Sequence, residues 1–130
     1  SDEVLVLQER YRLISLTVHC ETGEKPYSRI VISDNGNEMT AESQGSGPVD
    51  ATFRAIEGLL ESGAKLQLYS VNNITSGTDA QGEVTVRLQK SERIVNGHGA
   101  DTDIVVASAK AYLSALNKLG CKLERAHPQV

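Results

Sequence analysis

Gly45-Ser46-Gly47-Pro48-Val49-Asp50-Ala51 is the stretch where strand-like alternation gives way to helical periodicity. Pro48 suits the first turn of a helix, because its missing N–H would have no intrahelical partner there and its fixed φ is already helical. Downstream, Val49, Phe53, Ile56 and Leu60 recur at spacings of four, three and four, forming one apolar stripe, with Arg54, Glu57 and Glu61 off it. Ser62-Gly63 ends the helix. Upstream, residues 11–20 are rich in β-branched types and predict a long strand, and residues 21–25, with Gly23, a turn. Residues 27–33 and 37–43 predict two more strands joined by Asp34-Asn35-Gly36, whose Asn and Gly tolerate the positive φ of a tight hairpin.

The same order then returns. Residues 65–74, 82–89 and 92–95 read as strands, the second alternating through Val84, Val86 and Leu88. Asp101 to Asp103 supply an N-cap for a second helix, whose stripe is Val105, Ala109, Tyr112, Leu116 and Leu119, closed by Gly120. An offset of 52 residues lays Gly45-Ser46-Gly47 on Gly97-His98-Gly99, and one residue more lays Asp50 on Asp103 and Leu60 on Leu113. A βββα unit cannot bury its apolar face alone. The expectation is therefore an α+β domain of internally duplicated βββα units, two three-stranded sheets packed with two helices about a pseudo-two-fold axis. The repeats span about 11–63 and 64–120, with residues 1–10 a connecting segment entered in mid-chain and 121–130 a frayed tail.

Composition excludes several classes. With 130 residues, 39% hydrophobic and 23% charged, the chain has the make-up of one globular domain. A net charge of −4, with both signs interspersed, offers no basic stripe for nucleic acid. No apolar run approaches the roughly 20 residues that span a bilayer, and no signal peptide is readable, so a cytoplasmic location is expected. Cys20 and Cys121 are too few for a disulfide framework. His19, His98 and His127 have no metal-ligand spacing, and no nucleophile elbow, Walker loop or helical H-E-x-x-H is present.

Two constellations carry chemistry. Glycines at 45 and 47 let backbone approach a ligand, and the free N–H groups opening the helix at Pro48 suit a carboxylate. The alternative is a plain tight strand-to-helix turn. Asp101, Asp103 and His98 are all that a small stand-alone enzyme could be built on, but acidic residues at a helix start read first as caps.

Three blocks in order resemble the regulatory domain of 2-isopropylmalate synthase: Gly45-Ser46-Gly47-Pro48-Val49-Asp50-Ala51, Gly77-Thr78-Asp79-Ala80-Gln81-Gly82-Glu83-Val84, and the run from Gly97-His98-Gly99 through Asp103-Ile104-Val105 to Tyr112-Leu113. The resemblance covers about residues 11–119. It implies a duplicated βββα fold, a homodimer, and feedback inhibition by L-leucine bound near the interface of two regulatory domains. It also implies an effector pocket of Gly45, Ser46, Gly47, Val49, Asp50, Leu66, Tyr69, Asn73, Ala80, Gly82 and Ile104, of which Asp50 and Asn73 are more polar than the family pattern. No catalytic residue and no cofactor belong to such a domain. The acyl transfer from acetyl-CoA to 2-oxoisovalerate, and the divalent metal it uses, are implied for a separate catalytic barrel. The rival readings are the isoleucine-binding counterpart in citramalate synthase and a dimerisation module with a degenerate pocket.

Overall fold

The computed structural model describes residues 3–6, 9–73, 80–120 and 122–125, the terminal pieces and Asn73 by their backbone alone. Strand β1 (Glu3–Val6) pairs antiparallel with β8 (Lys122–Arg125). Two segments read from the sequence as connector and tail thus carry a short ribbon, which their scant alternation does not announce.

Strands β2 (Tyr11–His19), β3 (Tyr27–Asp34) and β4 (Asn37–Gln44) form one antiparallel sheet in that order. Asn35 and Gly36 take positive φ at the β3–β4 hairpin, as their side chains allow. Ile30 and Ile32 are fully buried beneath α1 (Pro48–Leu60), which crosses β3 and β4. Strands β5 (Lys65–Asn73), β6 (Gly82–Lys90) and β7 (Arg93–Asp101) form the second sheet, followed by α2 (Ile104–Leu119). Val84, Val86 and Leu88 are its fully buried counterparts. Each opening strand carries a bulge, between Leu13 and Ser15 and between Leu66 and Leu68. The duplicated βββα architecture is therefore present.

One core serves both halves. α2 packs on β6 and β7 of its own sheet and also on β2 of the other. Phe53 of α1 meets Tyr112 of α2 at 4.6 Å between ring centroids and Tyr69 of β5 at 5.9 Å, the latter edge-to-face. Burial, and then Glu57 nearby, holds the Tyr112 phenol well above its ordinary pKa, so it stays neutral in the core. Asn117 of α2 makes a two-point clasp on the backbone of Tyr11, accepting from its N–H at 2.8 Å and donating to its carbonyl at 3.0 Å. A side-chain amide there takes the place of a neighbouring strand.

The repeat register differs from the 52-residue offset. The N-caps are Gly47 and Asp103, 56 positions apart, and the hairpin ends Asn37 and Arg93 keep the same interval. Asp103 thus corresponds to Gly47 and not to Asp50, and Gly97-His98-Gly99 is no turn. Those residues belong to β7, which is nine residues long where a short strand at 92–95 was expected. The reason is steric. A methyl group on Gly97 would run into the Ala111 carbonyl and lie 2.8 Å from Ala115 Cβ, and one on Gly99 would strike the Ala107 carbonyl. The glycines let the Ala107, Ala111 and Ala115 face of α2, all at zero exposure, lie directly on the strand. Local sequence shows glycine; only the helix overhead shows why.

Gly97→Ala is expected to destabilise the chain by about 1–3 kcal/mol through forced overpacking. Gly58→Ala, in exposed α1 with no atom within 4 Å of the new methyl, should stabilise it by roughly 0.5–1 kcal/mol. Urea unfolding of the two variants reads both signs.

Candidate functional site

The entry to α1 is built around two glycines with different reasons to be there. A Cβ at Gly45 would sit 2.5 Å from Ala51 N and 2.6 Å from Asp50 Oδ2, so close approach to the helix excludes any side chain. Gly47, the N-cap, has φ −159° and ψ 174°, extended backbone that any residue adopts, and a Cβ there would meet nothing within 4 Å. No packing or strain requires glycine at 47. Its consequence is chemical: α1 starts with no side-chain cap. Asp50 instead reaches back and accepts from Ser46 N at 2.8 Å, Ser46 Oγ at 3.3 Å and Arg54 Nε at 2.9 Å. The backbone bond runs to the residue before the N-cap, one position short of the partner in a capping box, and the Ser46 N–H first, then Arg54, holds the Asp50 carboxyl below its usual range.

The other helix start is complete. Asp103 Oδ1 accepts from Val105 N at 2.8 Å and Val106 N at 3.4 Å. The two repeats thus differ by one carboxylate at equivalent positions, present at Asp103 and absent at Gly47. Beside the uncapped start lies an open cleft of about 630 Å³ lined by Gly23, Glu24, Lys25, Pro26, Gln44, Gly45, Ser46 and Arg54.

The remaining expected residues fall into separate places. Val49 and Ile104 are half-buried against the core. Tyr69 is tied to the start of α2, with its hydroxyl 2.6 Å from Ser108 Oγ, which donates to the Ile104 carbonyl at 2.7 Å. The first repeat has a related hydroxyl chain, Ser28 to Thr52 at 2.8 Å and Thr52 to the Pro48 carbonyl at 2.8 Å. Phe53 and Ser108 link Val49, Tyr69 and Ile104 into one wall; the sequence reading placed Phe53 in the core stripe and singled out neither. Gly82 is buried between Asn73 and Asp101 at the sheet end, and Ala80 is exposed. Leu66, paired with Leu88, shares the helix-side face of β5 with Tyr69, three residues on, and is seven residues from Asn73, roughly 20 Å at the usual strand rise. Gly77-Thr78-Asp79 lies outside the described residues.

The acidic pair near His98 is dispersed: Asp103 caps α2, Asp101 pairs with Gly82 in β7, and the His98 ring lies 3.1 Å from Thr85 Oγ1. His19, Glu21 and Glu24 bring ligand atoms within 4.8 Å of one another at the β2–β3 turn, all three exposed. Their grouping comes from the turn and is not visible as a spacing motif. Cys20 is exposed and unpaired by any disulfide. Among the described residues, no helix is long and apolar enough to cross a membrane.

An internally duplicated α+β module, with one of its two helix starts left open, defines the class. The chain belongs to the LeuA allosteric (dimerisation) domain family, whose model matches residues 1–120. It is 76% identical over all of its 130 residues to 2-isopropylmalate synthase of Nitrosospira multiformis, 70% to that of Nitrosomonas eutropha and 68% to that of Nitrosomonas europaea. In each case it spans 26% of the relative's length.

Because the folded state lowers the Asp50 pKa, this carboxylate contributes stability above the ordinary Asp value of 3.8 and loses it as pH falls through the folded value. Asp50→Asn should therefore lower stability at neutral pH and flatten the acid limb of a pH–stability profile, measured by urea midpoints.

Proposed function

We propose that the chain is the effector-sensing part of a 2-isopropylmalate synthase and that it binds L-leucine, the end product whose binding lowers the activity of the longer enzyme. The observation that carries this reading is the contrast between Gly47 and Asp103. A ligand carboxylate at the start of α1 takes the position that the Asp103 carboxylate occupies in the second repeat, meeting N–H groups and the positive end of the helix dipole. Glycine at 47 leaves the room.

The isobutyl group then lies along the wall of Val49, Tyr69 and Ile104, where its burial contributes roughly 2 kcal/mol. Asp50, already held by Ser46 and Arg54, acts as the support of the turn. Asn73, Ala80 and Gly82 are assigned to the far end of the pocket, and Leu66 to the near end of the strand that carries Tyr69. Acyl transfer and its divalent metal belong to a catalytic barrel elsewhere in the longer protein, in the cytoplasm, and effector binding acts on it as a coupling free energy between two sites. Membership of the LeuA allosteric (dimerisation) domain family and the 76% identity to the Nitrosospira multiformis 2-isopropylmalate synthase support this assignment.

Calorimetry of the chain with leucine and isoleucine tests the reading. Saturable heat with leucine, weaker with isoleucine, is expected; no heat and no thermal stabilisation with either at millimolar concentration would sink it. Gly47→Asp places an internal carboxylate at the helix start. It should stabilise the free chain by roughly a few tenths of a kcal/mol while weakening leucine at least tenfold. Unchanged leucine affinity in this variant would move the carboxylate away from α1.

A further inference from the structure

Four strands stand at the edges of the two three-stranded sheets: β2, β4, β5 and β7. Soluble proteins keep such edges from pairing with charges, bulges or a covering element. β2 carries Arg12 and is covered by α2, clasped through Asn117; β4 carries Glu38 and Glu42 and lies against α1; β7 lies under α2. β5 has none of these along most of its length. After Lys65 it runs Leu66-Gln67-Leu68-Tyr69-Ser70-Val71-Asn72-Asn73 without a charge, and its bulge lies at one end, leaving 68–73 in unbroken register.

Its apolar side chains are open on both faces. Leu66 and Val71 pair with the fully buried Leu88 and Val84, so they point to the helix side of the sheet, yet they are 48% and 42% exposed. Leu68, opposite Arg87, is 38% exposed on the other face. The equivalent strand β2 is covered from within by α2, whereas α1 touches β5 through Phe53 on Tyr69. Among the described residues, no helix or strand supplies that cover.

We infer that β5 is the seam of the homodimer, pairing antiparallel with the same strand of a second copy about a two-fold axis and joining two three-stranded sheets into one of six. A second copy is the occupant because the family is one of dimerisation domains and the strand is self-complementary. Antiparallel self-pairing sets Lys65 against the uncharged Asn72-Asn73 end, so no like charges face each other. The inference rests on the dimerisation of the family and not on the identity of the effector.

Sedimentation of the 130-residue chain at micromolar concentration provides the test. The unsubstituted chain should run as a pair of 14.0 kDa protomers. Leu68→Glu and Val71→Glu should each weaken the dimer at least tenfold, and the double variant should run as a monomer with its circular dichroism and cooperative unfolding retained. Ile94→Glu, more exposed at 58% but on β7, should remain dimeric. If the double variant fails to fold, Leu68→Lys, on the face away from the core, supplies the same reading. A monomeric unsubstituted chain, a folded Leu68 variant that stays dimeric, or dissociation by Ile94→Glu overturns the seam.

Discussion

Helix α2 lies between the two sheets, and its contact with β7 is so close that positions 97 and 99 admit no side chain. Backbone against backbone at that distance gives dense dispersion contact, and the Ala107, Ala111 and Ala115 ridge fits it without voids. From this seat the opposite side of α2 reaches β2, where Asn117 takes hold of Tyr11. Its C-terminus is held as well, with Arg93 of β7 donating to the carbonyls of Leu119 and Lys118 at 2.7 and 3.0 Å. Were α2 to rise from β7, the clasp on the first sheet and the Phe53–Tyr112 ring contact would be lost together.

Duplication supplies two nearly equivalent units, and the structure treats them differently. The second helix satisfies its own first turn through Asp103; the first leaves that work undone at Gly47. The first sheet's opening strand is covered from within the chain, while the second sheet's opening strand stands open along Leu66, Leu68 and Val71. One copy of each feature is spent on holding the fold together, and the other is left available to a ligand or a partner. Phe53 of α1 joins the two halves, its ring meeting Tyr69 of the open strand and Tyr112 of α2.

Periodicity alone was enough for the strands, the helices and their βββα order, because alternation and the four-three-four spacing are local consequences of burying one face. The helix starts at Pro48 and Asp103 were legible from local chemistry, since Pro suits the first helical turn and Asp an N-cap. The offset of the repeat was misread because glycine was taken as a sign of a turn. At Gly97 and Gly99 it marks instead the approach of a helix distant in sequence, and no local pattern separates these two uses. Sequence resemblance named the pocket residues without their places in the fold, and the distance of Leu66 from Asn73 follows from their positions at the two ends of β5.

What the sequence by itself determined was the set of pieces: two three-stranded hairpin sheets, two amphipathic helices and a glycine-rich entry to the first of them. Tertiary structure decided which of two like pieces was closed and which was open. That choice depends on contacts between residues far apart in sequence, such as Tyr69 with Ser108, 39 positions apart, and Tyr11 with Asn117, 106 apart. Such contacts exist only once both sheets have packed on α2, so neither the spare helix start nor the uncovered strand can be read from any single segment.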